Sequence, residues 1–326
     1  MPRLTLLPCL LMSLLLMSCK RADDPHKGGH AVGFAITTLN NPFFIDLKNG
    51  AEEAARARGI ELLMQASERD VDVEKQMQIV ENFIQRRVDA ICITPNGARE
   101  IVPAIVKATQ AGIPVIIVDS RVDEATLREA GGKIVSFAGS DNVEGGRLAG
   151  EYIIQRLGGK GRVAIIEGAM GHETGDSRLR GFHEAVDKER GIVIVSSQSA
   201  AFDRSQGYSV FQNVLQAHPD VQAVFACNDM MALGAVEAIA AVGKTGRVIV
   251  VGFDAIEEGR EAIRKGMMDA TIAQYPVEMG RVAVEIAVRY LKGESVPAFV
   301  PVRIELISRE NLDRSNSHAG DEGTKD

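Results

Sequence analysis

The chain has 326 residues, of which 45% are hydrophobic, 25% charged and 5% aromatic, with no tryptophan. Its 44 acidic residues outnumber 37 basic ones for a formal net charge of −7, and charges of both signs are interspersed. That balance argues against nucleic acid as a partner, and the apolar content suffices for two ordinary domains with cores of their own.

After Arg3, an almost uncharged apolar run from Leu4 to Met17 leads into Ser18-Cys19. A run of about fourteen residues falls short of the roughly twenty that a membrane-spanning helix needs, so residues 1–19 read as an export signal. A small residue directly before Cys19 suits a lipoprotein signal, in which that thiol is acylated and becomes the mature N-terminus. A plain signal peptide that contains a cysteine is the alternative, and Met17 is unusual for the lipoprotein form. Residues 20–30 are polar and contain glycine, as a tether between a lipid anchor and a folded body would. The expected location is the periplasm or cell envelope, with the membrane touched only through the anchor.

From Ala31 onward, short apolar β-branched runs alternate with stretches of helical period, the pattern of parallel α/β layers. The first half offers strands at Val32–Thr37, Glu61–Gln65, Ala90–Thr94, Val115–Asp119 and Ile134–Ala138. Between the second and third, Val73, Met77, Val80 and Ile84 recur at helical spacing and predict one buried helix face. The second half repeats the scheme at Val163–Glu167, Ile192–Ser196, Ala223–Cys227 and Val248–Phe253. Near-continuous apolar strands imply two doubly wound parallel sheets covered by helices on both faces, each five or six strands wide. Cys92 and Cys227 lie inside such runs and read as buried free thiols. No CxxC pair occurs and the six histidines show no ligand spacing, so neither a metal nor a cofactor is expected. Residues 314–326 lack apolar periodicity and read as a disordered tail.

Open sheets of this kind bind ligands beyond the carboxyl ends of their strands. Those positions hold Thr37 to Phe44, Thr94, Asp119 to Arg121, Asn228-Asp229, Phe253-Asp254 and Gln274. The mixture suits a monosaccharide. Asp119 and Asp254 can each accept from two neighbouring hydroxyls, Arg178 can donate through its planar fork, and Asn41, Asn228 and Gln274 can do both. Phe43, Phe44 and Phe202 can cover the C–H faces of a sugar ring. Each residue also has a structural reading. Asn41 before Pro42 is a good helix cap, Asp229 reads as the cap of the helix after Asn228, and a phenylalanine is more often core. Convergence of six strand ends on one chemistry favours the ligand.

The motifs Thr37-Thr38-Leu39-Asn40-Asn41-Pro42-Phe43-Phe44, Ser140-Asp141-Asn142-Val143 and Ala201-Phe202-Asp203-Arg204 resemble the ribose-binding branch of the periplasmic binding proteins. So do His218-Pro219-Asp220-Val221, Asn228-Asp229 with Met231-Ala232-Leu233-Gly234, Val251-Gly252-Phe253-Asp254 and Thr271-Ile272-Ala273-Gln274. The likeness spans nearly all of Ala31 to Arg309. It implies the type I periplasmic binding fold, two lobes that close on a ligand about a three-strand hinge. The chain would cross near Ser140, near Gln274-Tyr275 and near Val302–Ile304. The lobes implied are 31–140 with 275–303, and 141–274 with 304–313. The resemblance places sugar contacts on Asn41, Phe43, Phe44, Asp119, Arg178, Phe202, Asn228, Phe253, Asp254 and Gln274. Further candidates are Thr37, Thr94, Ser120 and Arg121, where the chain departs from the ribose pattern. Ser120 replaces the family's arginine, and Arg121, one residue later in an extended segment, would aim to the opposite side. The longer link from Asp119 to Asp141, with Ile165-Ile166-Glu167-Gly168 and Gly243-Lys244-Thr245-Gly246, is similar to the allose-binding branch.

The function so implied is capture of ribose or a related pentose or hexose by a monomer that delivers it to an ABC permease. A receptor presenting the sugar to a chemoreceptor or sensor kinase would share the same site. A repressor on this body would need a helix-turn-helix where the export signal and tether stand. An enzyme is not expected, since GxSxG, HExxH and GxGxxG are absent and Ala238 occupies the position where a P-loop before Gly243-Lys244-Thr245 needs glycine.

Overall fold

A computed structural model describes residues 29–313; the signal, Cys19, most of the tether and the tail lie outside them. The first sheet contains β1 (Ala31–Thr38), β2 (Glu61–Ser67), β3 (Ala90–Ile93), β4 (Val115–Val118) and β5 (Ser136–Gly139). These alternate with α1 (Pro42–Arg58), α2 (Val73–Gln85), α3 (Val102–Gln110) and α4 (Glu124–Glu129). The chain then builds α5 (Asn142–Leu157), β6 (Lys160–Glu167), α6 (Glu173–Val186), β7 (Gly191–Ser199), α7 (Arg204–Ala217), β8 (Ala223–Ala226), α8 (Asp229–Ala241), β9 (Ile249–Asp254), α9 (Glu257–Arg264) and β10 (Ala270–Ala273). It ends with α10 (Pro276–Leu291), β11 (Phe299–Pro301) and β12 (Glu305–Ser308).

The two halves use one topology. The strand orders are β11-β5-β4-β3-β1-β2 and β12-β10-β9-β8-β6-β7, six strands in each sheet. This meets the expectation of two doubly wound α/β layers, with one addition, because β12 runs antiparallel to β10. The chain leaves the first sheet after β5 and the second after β10. The short link at residues 302–304 then separates β11, paired with β5, from β12 on the other sheet. Helix α10 returns to pack on α1 and on β3 to β5.

Helix contacts depend on glycines where backbones nearly touch. A Cβ on Gly181 of α6 would lie 1.8 Å from the carbonyl oxygen of Val143, and one on Gly146 of α5 would lie 1.9 Å from that of Arg178. Only a residue without a side chain permits this approach, and it holds the start of α6 against α5. The central strands β1, β3, β4, β5 and β8 are buried along their whole length, which explains their continuous apolar sequence.

Two expectations are corrected. The buried face of α2 is Gln76, Ile79, Val80 and Phe83, displaced from the Val73, Met77, Val80, Ile84 stripe. Its centre tolerates a glutamine because Gln76 Nε2 donates to Thr94 O at 2.7 Å and to Asn96 Oδ1 at 2.8 Å. The cap of α8 is Asn228, whose Oδ1 accepts from Met231 N at 2.9 Å, whereas Asp229 lies inside the first turn. The Asp229 carboxylate instead accepts from Thr271 Oγ1 at 2.7 Å and from Ile256 N at 2.9 Å, tying the ends of β9 and β10 together. Gly243 to Gly246 turns the chain from α8 toward β9, with left-handed φ at both glycines.

Candidate functional site

Sheet orders of the type 2-1-3-4-5 place a crevice at the carboxyl ends of the strands where the order reverses. In both lobes that point is beside the first strand of the half, β1 or β6. The two crevices face each other across a narrow cleft. Asn41, Phe43, Phe44, Asp70 and Asp119 line it from the first lobe; His172, Thr174, Arg178, Phe202, Asn228 and Asp254 line it from the second. A hydrogen bond from Arg121 N to Glu173 Oε2, 3.2 Å long, joins the lobes at its rim.

On the first lobe, Asn41 caps α1 by accepting from Phe43 N at 3.0 Å, with Pro42 at the first helical position. The cap uses only the amide oxygen and leaves the NH2 to donate elsewhere, so the capping and ligand roles coexist. Phe43 and Phe44 meet edge to face, 5.1 Å apart. Asp119 ends β4 because its φ is +64°, a left-handed value that breaks the strand one residue earlier than its sequence suggests. Its Oδ1 is buried without a partner. Burial raises its pKa to about 7, against the lowering influence of Arg178; Asp254 and Glu173 add to the rise.

The second wall is cross-linked. Arg178 donates from Nε to Asn142 Oδ1 at 2.8 Å and from Nη1 to Cys227 O at 2.7 Å, while Nη1 lies 3.4 Å from Asp254 Oδ1. Its guanidinium stands 3.8 Å above the Phe253 ring, which is fully buried. Gln274 Nε2 donates to Asp254 Oδ1 at 2.8 Å, and Gln274 Oε1 is buried without a partner. Phe253 and Gln274 therefore stand behind the cleft lining and support Arg178 and Asp254. Burial raises the Asp254 pKa to about 6, less than it would without Arg178 and Gln274. Asn228 Nδ2 donates to Phe202 O at 3.2 Å, and Gly168 makes room for the Phe202 ring, since a Cβ there would lie 2.2 Å from its Cζ. Phe202 and Asp254 hold φ of +62° and +104°, strain of about 1–3 kcal/mol each that the surrounding packing must offset.

The remaining candidates lie elsewhere. Thr37 Oγ1 donates toward Thr94 O at 2.8 Å and Thr94 Oγ1 at 2.9 Å, so these buried hydroxyls bond within the first lobe and do not line the cleft. Ser120 is buried beside Asp119 but does not line the cleft. The Arg121 guanidinium turns away, 4.0 Å above Phe137 and 4.8 Å from Phe299, whose rings stack on each other.

Asp70, His172 and Thr174 escaped the sequence reading. Asp70 sits in the charged stretch Glu68-Arg69-Asp70, which looks like a solvated loop, and His172 sits in a glycine-rich turn. Both follow a strand, β2 and β6, so reading every carboxyl end would have found them. His172 Nδ1 lies 3.0 Å from Thr174 Oγ1, its Nε2 is buried without a partner, and its ring meets Phe202 edge on at 5.1 Å. Burial, with the Arg178 charge, lowers its pKa to about 4, so it is neutral near pH 7.

The periplasmic binding protein domain family matches residues 32–295 of the chain. The ribose import binding protein of Bacillus subtilis is 38% identical over 287 residues, 88% of this chain and 90% of that protein. The D-allose-binding periplasmic protein of Escherichia coli is 37% identical over 264 residues, 80% of this chain and 85% of that protein. The crystal structure of a periplasmic solute binding protein of an ABC transporter from Actinobacillus succinogenes, with bound D-allose, superposes with a TM-score of 0.83. It is 36% identical and covers 87% of this chain and 99% of the other.

Proposed function

The chain belongs to the periplasmic binding protein family, and from that premise we propose that it captures a monosaccharide, ribose or a related pentose or hexose, and delivers it to an ABC importer. One observation carries this reading. Buried hydrogen-bonding atoms without partners, Asp119 Oδ1 and His172 Nε2, face a cleft that also holds Phe43, Phe44 and Phe202. Buried polar groups are rarely left unpaired, so the cleft is shaped for a polyhydroxylated guest with apolar ring faces. Asp119, Asp254, Arg178, Asn41 and Asn228 would bond hydroxyls, with Phe253 and Gln274 orienting the second wall. The sugar is bound most tightly when both lobes reach it, so it favours the closed state. Relatives named for ribose import support transport over signalling.

In this reading, residues 31–140 with 275–303 form one lobe and 141–274 with 304–313 the other, and the protein works outside the cytoplasm as a monomer. Acylation of Cys19 would tether it to a membrane. Cys19→Ser should then release it from the membrane fraction; a wild type already soluble in the periplasm overturns the anchor.

A thermal-shift panel of pentoses and hexoses tests the main claim. A sugar at about a hundredfold its Kd should stabilise the protein by about 2.7 kcal/mol. No shift with any sugar overturns it.

A further inference from the structure

The cleft is lined by more acidic than basic side chains. Three carboxylates line it, Asp70, Asp119 and Asp254, and Arg178 is the one cationic side chain among its lining residues. Arg178 is already committed to Asn142, to Cys227 O and, at 3.4 Å, to Asp254. Nearby cations do not balance the other two. Arg121 lies over Phe137, Arg69 is largely exposed and bonded to Asp72, and Arg260 Nε donates to Ala255 O. Burial is the main cause that raises the Asp70 pKa, a backbone hydrogen bond lowers it, and Asp254, Asp203 and Asp72 add to the rise, while Asp119 faces Arg178 together with Asp254, Glu173 and Asp70. A metal does not account for the excess, because among the described residues no group of three His, Cys, Asp or Glu side chains is placed to hold one. Asp119 Oδ1 is an acceptor in a residue only 4% exposed, and it has no donor.

Resting on the sugar-capture reading, we infer that the preferred ligand is a cationic polyol, an aminosugar or amine-bearing cyclitol, whose ammonium group lies between Asp70 and Asp119 on the first lobe. An ammonium supplies three donors and one positive charge where a hydroxyl supplies one donor and none. With all three carboxylates ionised, it would bring the four charged lining side chains and the ligand from a net −2 to −1. Burial raises the pKa of both Asp70 and Asp119 to about 7 in the ligand-free cleft. A bound ammonium favours their ionised forms, so binding near that pH releases protons.

Titration calorimetry at pH 7 should compare D-ribosamine, D-allosamine, D-glucosamine and kanosamine with their hydroxyl parents, D-ribose, D-allose and D-glucose. Replacing a hydroxyl–carboxylate hydrogen bond by an ammonium–carboxylate ion pair predicts at least one amine about tenfold tighter than its parent. In two buffers of different ionisation enthalpy that amine should release protons, whereas the parent should not. Asp70→Asn should remove the amine-over-parent affinity ratio, whatever it does to the parent's own affinity, with thermal unfolding confirming the fold. Parents bound as tightly as their amines, or more tightly, overturn the charge assignment and leave sugar capture standing. An amine preference unchanged in Asp70→Asn overturns the placement of the ammonium. Silence from every amine and every parent overturns both readings.

Discussion

The two walls of the cleft are built from the same topology and differ in how their polar groups are held. On the second lobe, Arg178, Asp254, Gln274, Asn142 and Asn228 are bonded to one another or to the backbone, and Phe253 supports the guanidinium. The second lobe still keeps His172 Nε2 and Gln274 Oε1 without partners, whereas on the first lobe the Asp119 carboxylate has a buried oxygen without a donor, and Asp254, Asp203 and Asp72 add to the effect of burial on Asp70. A cross-linked wall is preorganised and contributes to folding as well as to binding. A wall with unmet acceptors gains its partners only from a ligand. Lobe closure over a guest is therefore an electrostatic completion of the first wall against a template supplied by the second.

The largest effect that would test this contrast is on the second wall. Arg178→Met removes the partner of a buried carboxylate and the donor to Cys227 O, and should destabilise the protein by about 3–5 kcal/mol while abolishing sugar binding. Urea unfolding and calorimetry measure the two losses; retention of full stability would show that the wall is not cross-linked. Asp254→Ala should leave the protein folded but less stable, since Arg178 loses its buried counter-ion, and cost about 1–3 kcal/mol or more of binding, because sugar hydroxyls lose a buried acceptor. Unchanged affinity would remove Asp254 from the site.

On the first wall, Asp119→Asn should weaken sugar binding yet stabilise the ligand-free protein at neutral pH. The sign follows from its pKa, raised from 3.8 to about 7 by burial. The folded state holds the proton more tightly, so this contribution is fully present below about pH 4 and is lost as pH rises through about 7. The stabilisation of the variant should thus be greatest above pH 7 and vanish near pH 4, as followed by melting temperature. A pH-independent difference would mean that Asp119 is not buried as an acid. The smallest effect is expected for Arg121→Ala, about 0.5–1 kcal/mol of stability from the lost contact with Phe137 and no change in sugar affinity. A large affinity loss would place Arg121 in the site after all.

Much of this arrangement was legible in the residues. Alternating apolar runs identified both sheets, reading the strand ends brought out Asn41, Phe43, Phe44, Asp119, Asn228 and Asp254, and side-chain chemistry with the family resemblance added Arg178 and Phe202; all eight line one cleft. Arg121 turns away from the cleft, but Ser120 does not line it either, and the left-handed Asp119 means that the two-residue period of extended chain is not the reason. Asp70 and His172 were missed because a charged loop and a lone histidine look the same whether they face solvent or a second lobe. Thr37 and Thr94 looked like ligand groups because a hydroxyl at a strand end does not reveal whether another hydroxyl already satisfies it.

Sequence was enough for the fold class and for the chemistry offered at each strand end, because burial periodicity and side-chain type are local properties. Which of those groups remain unpaired, and which charges stand alone, was decided only by the tertiary structure. Those depend on left-handed turns such as Asp119 and Asp254, and on the apposition of segments such as Asp70 and Asp254, which are far apart in the chain and share one desolvated space.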